Sequence, residues 1–195
     1  MNVKEFESYD DYVALQVEKT KDPARRKKWI DNIEKNSALF KDTFLPYMDY
    51  ISSPAICLGA RTGEEVLSLQ RLGIKAVGLD LVANPPLVIE GDVHNMDFED
   101  CYAGFIYSNI VDHVLYPDKF IAECFRVLRK DGVLFLQLQV GSNLDKFGVY
   151  FLDSSDEFMQ LFSGYKYETI ALEPPKAKTP NNHALNFNVV LRKVN

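Results

Sequence analysis

Ala55-Ile56-Cys57-Leu58-Gly59-Ala60-Arg61-Thr62-Gly63-Glu64-Glu65, followed by Ala76-Val77-Gly78-Leu79-Asp80, is the stretch that decides the fold of this 195-residue chain. A short apolar run enters a glycine-bearing turn, a helix-start signal follows, and about twenty residues past the turn a second apolar run ends in a lone acid. That layout is a nucleoside-binding βαβ unit. Ile56 and Leu58 are strand formers in a run apolar enough for a strand covered on both faces. Gly59 and Gly63 bracket the turn, where the missing Cβ lets a ligand come close to the backbone. Thr62 and Glu65 stand at capping-box spacing, which predicts a helix from Gly63. Val66, Leu67, Leu69 and Leu72 give that helix its apolar face, and Gly73 its stop. Asp80 is expected at the carboxyl end of the second strand, where a carboxylate can accept both hydroxyls of a ribose.

Further along, Pro117 suits the first turn of a helix and Asp118 its positive end. Phe120, Ile121, Cys124, Phe125, Val127 and Leu128 form a wide apolar face, and Arg126, Arg129 and Lys130 are expected in the C-terminal turns. Asp131-Gly132 then turns the chain into the buried strand Val133-Leu134-Phe135-Leu136. Strands joined by helices imply parallel crossovers and a sheet covered on both faces. Ligands in such sheets bind at the carboxyl ends of the strands, so Gly59, Asp80, Asp92 and Asn109 are expected on one rim.

The ordered set of segments from Ser53 to Val140 resembles the class I S-adenosylmethionine-dependent methyltransferases, in particular those with a type 11 domain. Members usually read acid, any residue, Gly, any residue, Gly, any residue, Gly. The matching positions here are Cys57, Leu58, Gly59, Ala60, Arg61, Thr62 and Gly63, so Cys57 replaces the acid and Arg61 the middle glycine. Glu90-Gly91-Asp92-Val93-His94 resembles the exit of the third strand, and Gly104 to Asn109 the fourth strand. Asp112-His113-Val114 and the run from Pro117 to Leu134 resemble the fourth crossover and the strand after it. The resemblance implies an α/β fold: a Rossmann-like, doubly wound, mostly parallel seven-stranded sheet with an antiparallel last strand, preceded by amino-terminal helices. It implies S-adenosyl-L-methionine as cofactor, bound by Gly59, Ala60, Arg61, Thr62, Gly63, Asp80, Leu81, Gly91, Asp92, Val93 and Asn109. Asp92 would lie near the adenine, and the exit of the fourth strand would face the sulfonium.

The chain reads as one methyltransferase-like domain over 1–195. Residues 1–50 form an amino-terminal helical extension, 53–140 the cofactor-binding core, and 141–195 a carboxy-terminal helix and strands. In the last part, 141–148 reads as a loop, Ser154 to Glu157 as a second capping box, and Tyr167 to Leu172 and His183 to Val194 as strands around a loop marked by Pro174, Pro175 and Pro180. A hydrophobic content of 47% and 26% charge are those of a soluble globular protein. Three cysteines without paired spacing argue against a disulfide framework or a metal site. The amino terminus lacks a signal-peptide core and no run approaches the ~20 apolar residues of a membrane span, so a cytoplasmic location is expected. The net charge of −6 speaks against an extended nucleic-acid surface. One local exception is the cluster Lys19, Lys21, Arg25, Arg26, Lys27, Lys28 beside Trp29. It reads either as a solvated helix start, with Asp22 as cap and Pro23 first in the helix, or as a hold for an anionic partner.

Methyl transfer from a sulfonium requires alignment and sometimes a base. His113 and Asp112 are the candidate catalytic residues, because they follow the fourth strand where the methyl should emerge; His113 reads alternatively as a structural hydrogen-bonding group. His94 is assigned to the adenine-side loop, Tyr116 to an orienting hydroxyl, and His183 to a position outside the site. Arg61 either clamps the cofactor's carboxylate or fills the groove. The sequence therefore points to a methyltransferase acting on a small-molecule or protein acceptor. The alternatives are a silent methyltransferase-like scaffold that binds a protein partner and, from a third class, a dinucleotide-dependent oxidoreductase, which the turn disfavours for lack of three glycines.

Overall fold

The computed structural model describes residues 2–141, 145–177 and 184–194. The chain begins with β1 (Asn2–Val3) and three helices, α1 (Tyr9–Lys21), α2 (Pro23–Asp31) and α3 (Ile33–Phe44). The core follows as β2 (Ala55–Leu58), α4 (Glu64–Arg71), β3 (Ala76–Asp80), β4 (Val88–Glu90), β5 (Ala103–Ser108), α5 (Pro117–Val127) and β6 (Leu128–Leu138). The end of the chain adds β7 (Tyr150–Phe151), α6 (Ser155–Met159), β8 (Tyr167–Glu173) and β9 (Phe187–Lys193).

Seven of the strands form one sheet in the order β4-β3-β2-β5-β6-β9-β8, while β1 and β7 pair as a short antiparallel ribbon. Within the large sheet β9 runs against both of its neighbours, and the other pairings are parallel. The chain steps outward from β2 to β4 and returns to β5 on the other side of β2. This reversal leaves a crevice at the carboxyl ends of β2 and β5, where ligands of open α/β sheets bind.

Alternation along the strands separates two apolar layers. Ile56 and Leu58 of β2 face α5 and α6, packing with Phe120, Ile121, Cys124, Phe125, Phe158 and Phe162. Ala55 and Cys57 face the other way, with Phe105, Tyr107 and Phe135, against Phe40 and Phe44 of α3 and Val66 and Leu69 of α4. Phe44 meets Phe105, Tyr107 and Phe135 edge-on, with 5.0 Å between its centroid and that of Tyr107. All six residues of β5 and all four of β2 are buried, which is why these runs are continuously apolar rather than alternating.

Three of the sequence's helix starts form as expected, Pro117 standing first in α5 with Asp118 in its first turn. Asp22 accepts from the backbone amide of Arg25 at 2.7 Å with Pro23 first in α2, and Ser154 accepts from the amide of Glu157 at 3.2 Å. The capping box of Thr62 and Glu65 does not form. Gly63, at φ 92°, is the N-cap of α4, the helix starts one residue later than expected, and the Thr62 hydroxyl donates to Glu64 Oε2 at 3.0 Å. The left-handed turn at Gly63 takes Thr62 off the helix end, and Glu65 points into the interior. Arg129 and Lys130 are likewise not helical. Leu128 pairs with Ala103 and Val133 with Phe105, so the sheet takes up the chain at once and residues 129–132 bulge out, with Asp131 at φ 61°. Ser142, Asn143, Leu144, Pro180 and His183 lie outside the described residues.

Candidate functional site

The carboxyl ends of the strands open onto a cleft of about 70 Å³. Gly59, Arg61, Asp80, Leu81, Gly91, Asp92, Val93, Ile110 and His113 line it from the sheet side, and Tyr12, Gln16, Lys19 and Thr20 from α1. Of the residues expected in the site, Ala60, Thr62, Gly63, Asn109 and Asp112 are buried or packed behind this lining. Gly59, at φ 72°, has no room for a side chain, since a Cβ there would stand 2.5 Å from Ile110 Cγ2. Arg61 takes the same left-handed region at φ 48°. Its guanidinium lies 5.2 Å over the Trp29 ring and its buried Nε has no partner.

Asp80, 8% exposed at the tip of β3, joins the two parts of the motif. Its Oδ2 accepts from the backbone amide of Arg61 at 2.9 Å and its Oδ1 from that of Val82 at 3.1 Å. Burial raises its pKa, while these amides and the Arg61 and Arg26 charges oppose the rise.

Asp92 stands at the other end of the cleft and is already engaged. Tyr9 Oη donates to its Oδ2, and its Oδ1 accepts from the His94 amide at 2.8 Å and from His94 Nδ1 at 2.9 Å. His94 Nε2 accepts from the Tyr116 amide at 3.2 Å, which leaves Nδ1 as the donating end. Burial works against the Asp92 charge, yet the bonds from His94 and Tyr9 hold its pKa below the usual carboxylate value.

At the wall formed by α1, His113 is held from both sides of its ring. Nδ1 donates to the Phe147 carbonyl at 3.0 Å, so Nε2 accepts, and Lys19 Nζ lies 2.8 Å from it. Asp112 Oδ2 is 3.4 Å from the same Nε2, and Asp112 Oδ1 is buried without a partner. Tyr12 Oη donates to the His113 carbonyl at 3.0 Å and Gln16 Nε2 to the Phe147 carbonyl at 2.9 Å. Helix α1 thus touches both ends of the cleft. The individual residues of α1 that make these contacts escape the sequence reading, which places Lys19 only in a basic cluster that is either a solvated helix start or a hold for an anionic partner. The available signal is spacing: Tyr9, Tyr12, Gln16 and Lys19 recur at helical intervals on one face.

Two further features lie under the rim. Glu65 is 1% exposed, neither of its carboxyl oxygens has a partner, and burial together with neighbouring Glu64 pushes its pKa up to about 8. A buried chain of polar side chains also crosses the sheet. Asn109 Nδ2 meets Tyr107 Oη at 3.3 Å, Tyr107 Oη meets Gln137 Oε1 at 2.6 Å, and Gln137 Nε2 meets Asn188 Oδ1 at 3.1 Å. Asn188 Nδ2 then meets Tyr47 Oη at 3.3 Å, and Tyr47 Oη meets Glu173 Oε1 at 2.7 Å.

The architecture and the cleft at its strand reversal are those of a Rossmann-like methyltransferase fold. Residues 56–136 match the family model described as a methyltransferase domain. Solved structures agree on the fold. A SAM-dependent methyltransferase of Methanosarcina mazei superposes with a TM-score of 0.62 at 16% identity, over 75% of this chain and 96% of that one. A SAM-dependent methyltransferase of Aquifex aeolicus gives 0.62 at 17% identity, over 89% and 99%. The 1,6-didemethyltoxoflavin-N1-methyltransferase of Burkholderia thailandensis, solved with 1,6-didemethyltoxoflavin and S-adenosylhomocysteine bound, gives 0.66 at 13% identity, over 98% and 93%. No curated protein matches the chain.

Proposed function

We propose that this protein binds S-adenosyl-L-methionine in the rim cleft and transfers its methyl group to a small-molecule or protein acceptor. The observation that carries this reading is Asp80. Two backbone amides fix its carboxylate at the cleft wall, and each oxygen keeps a lone pair for one hydroxyl of a ribose. Gly59, Ala60, Thr62 and Gly63 form the turn beside it, and Arg61, with its unpartnered Nε, suits a bidentate hold on the cofactor's carboxylate. Leu81, Gly91, Asp92 and Val93 would flank the adenine, with Asn109 under the reacting end.

The chemistry of these groups fits the cofactor. The space does so only when the cleft opens at its Asp92 end, where Tyr9 of α1 is bonded, because about 70 Å³ is well below the roughly 300 Å³ at which ligand pockets of this kind begin. When bound, S-adenosylmethionine supplies a methyl carbon activated by a positive sulfur. The chain's own part is to align the acceptor and to hold or move its proton near His113 and Asp112. Among the described residues no helix is long and apolar enough to cross a membrane, and Cys57 and Cys124 are buried free thiols. These features support a reducing, cytoplasmic setting.

Calorimetric titration with S-adenosylhomocysteine, alongside NADH and NADP⁺, tests the reading. We expect a Kd of about 1–100 μM for the first ligand alone, weakened at least about tenfold in Asp80→Ala by loss of its paired hydrogen bonds. Folded protein that gives no heat with S-adenosylhomocysteine overturns the proposal.

A further inference from the structure

We infer that Lys19, held by His113, is the group that accepts the proton of the methyl acceptor. This rests on the cofactor site proposed above and assigns the proton to a residue outside the methyltransferase segment.

His113 is placed to serve as a base, but neither of its ring nitrogens is free to do so. Nδ1 is committed to the Phe147 carbonyl and Nε2 to Lys19. Asp112 lies behind the lining. Lys19 is the member of this group that the cleft exposes with nitrogen capacity to spare. Its side chain is 16% exposed, it enters from α1, and one N–H directed at Nε2 leaves the rest of the amine facing the cavity.

The surroundings favour an amine that is easily emptied of its proton. Burial is the largest influence lowering its pKa, and the Arg61 and Arg25 guanidiniums add to it. Asp145, 3.7 Å away on the loop before β7, and Asp112 beside His113 oppose them. The Asp145 ion pair is longer than a direct hydrogen bond, and burial outweighs both acids in setting the direction of the shift. Lys146, Arg25 and Lys19 all lie over the Phe147 ring, at 4.4, 5.1 and 5.5 Å from its centroid, and Lys146 is paired with Glu18 at 3.4 Å. A sulfonium at the reacting end would add one more positive charge.

In the step assigned here, the acceptor's O–H, N–H or S–H bond breaks. The proton joins the Lys19 lone pair, and the electron pair stays on the acceptor atom as the nucleophile. Lys19 keeps its N–H to His113 throughout, so His113 is a positioning residue.

The test is a pH titration of the full chain labelled with [¹³Cε]lysine, read by NMR and repeated with S-adenosylhomocysteine and with S-adenosylmethionine. The Lys19 resonance is identified by its absence in Lys19→Arg, or in Lys19→Gln where the arginine does not fold. It should titrate at lower pH than the other lysines. Its proton affinity should be lower in the S-adenosylmethionine complex than in the S-adenosylhomocysteine complex by at least about threefold, because the two ligands differ by the charge on sulfur. A Lys19 that titrates with the bulk lysines, or identically in both complexes, overturns the assignment while leaving the cofactor site intact. Failure of both ligands to bind defeats the cofactor reading and this inference with it.

Discussion

Arg61 occupies a position that its own backbone would rather give to glycine. The left-handed region costs an L-residue roughly 1 kcal/mol, and the chain carries that cost in a residue that lines the cleft with its guanidinium over Trp29. Arg61→Gly should therefore weaken S-adenosylhomocysteine about tenfold by calorimetry, while 5′-methylthioadenosine, which lacks the amino-acid end, binds as before. Equal losses for the two ligands would refute a carboxylate clamp. Glu65 makes a second residue-level prediction. Its folded pKa, about 8, lies above the ordinary 4.5, so the folded state holds a proton that the unfolded state releases. The associated stability is complete below about pH 4.5 and falls away as pH rises through 8. Glu65→Gln should flatten that decline, and at pH 9 it should unfold at higher urea than the parent. A parallel decline in both proteins would mean that Glu65 is not the group responsible.

At the scale of elements, β2, the turn and α4 were legible because buried parallel strands are apolar throughout and glycine marks the bend. Asp80 was legible as an acid ending a strand, but its bonds to the amides of Arg61 and Val82 were not, since they depend on how two turns approach each other. The bulge at 129–132 was hidden because helical periodicity continues through Arg129, and only the pairing of Leu128 with Ala103 ends the helix. The site residues of α1 were the largest omission. Its site face is aromatic and polar, so apolar periodicity passes over it, and what it covers is set by tertiary docking. This helix carries a prediction of its own. Because the Tyr9 hydroxyl occupies Asp92, Tyr9→Phe removes one bond that the cofactor must break and should tighten S-adenosylhomocysteine about 3- to 10-fold. Hydrogen exchange in the first turn of α1 should rise on ligand binding if the Tyr9 end steps outward, and a fall would show that the ligand enters beneath it unmoved.

At the scale of the whole molecule, the third amino-terminal helix is part of the core. Phe44 of α3 is fully buried among Phe105, Tyr107 and Phe135. Phe44→Ala should cost about 3–5 kcal/mol, read as a lower urea midpoint with an unchanged m-value. A far smaller loss would mean that α3 docks only loosely on the sheet. The polar chain that crosses the sheet has a direction, and Glu173 at its outer end sets it. A carboxylate only accepts, so Tyr47 must give it its proton and then take one from Asn188. Asn188 in turn presents its oxygen to Gln137, and Gln137 its oxygen to Tyr107. The Tyr107 oxygen is left to receive the amide of Asn109, and the carbonyl of Asn109 is turned away from it. A single negative charge on the far side of the sheet thus sets the polarity of five side chains in series. The orientation of Asn109 at the strand-five exit is decided three strands away, at the outer edge of the sheet.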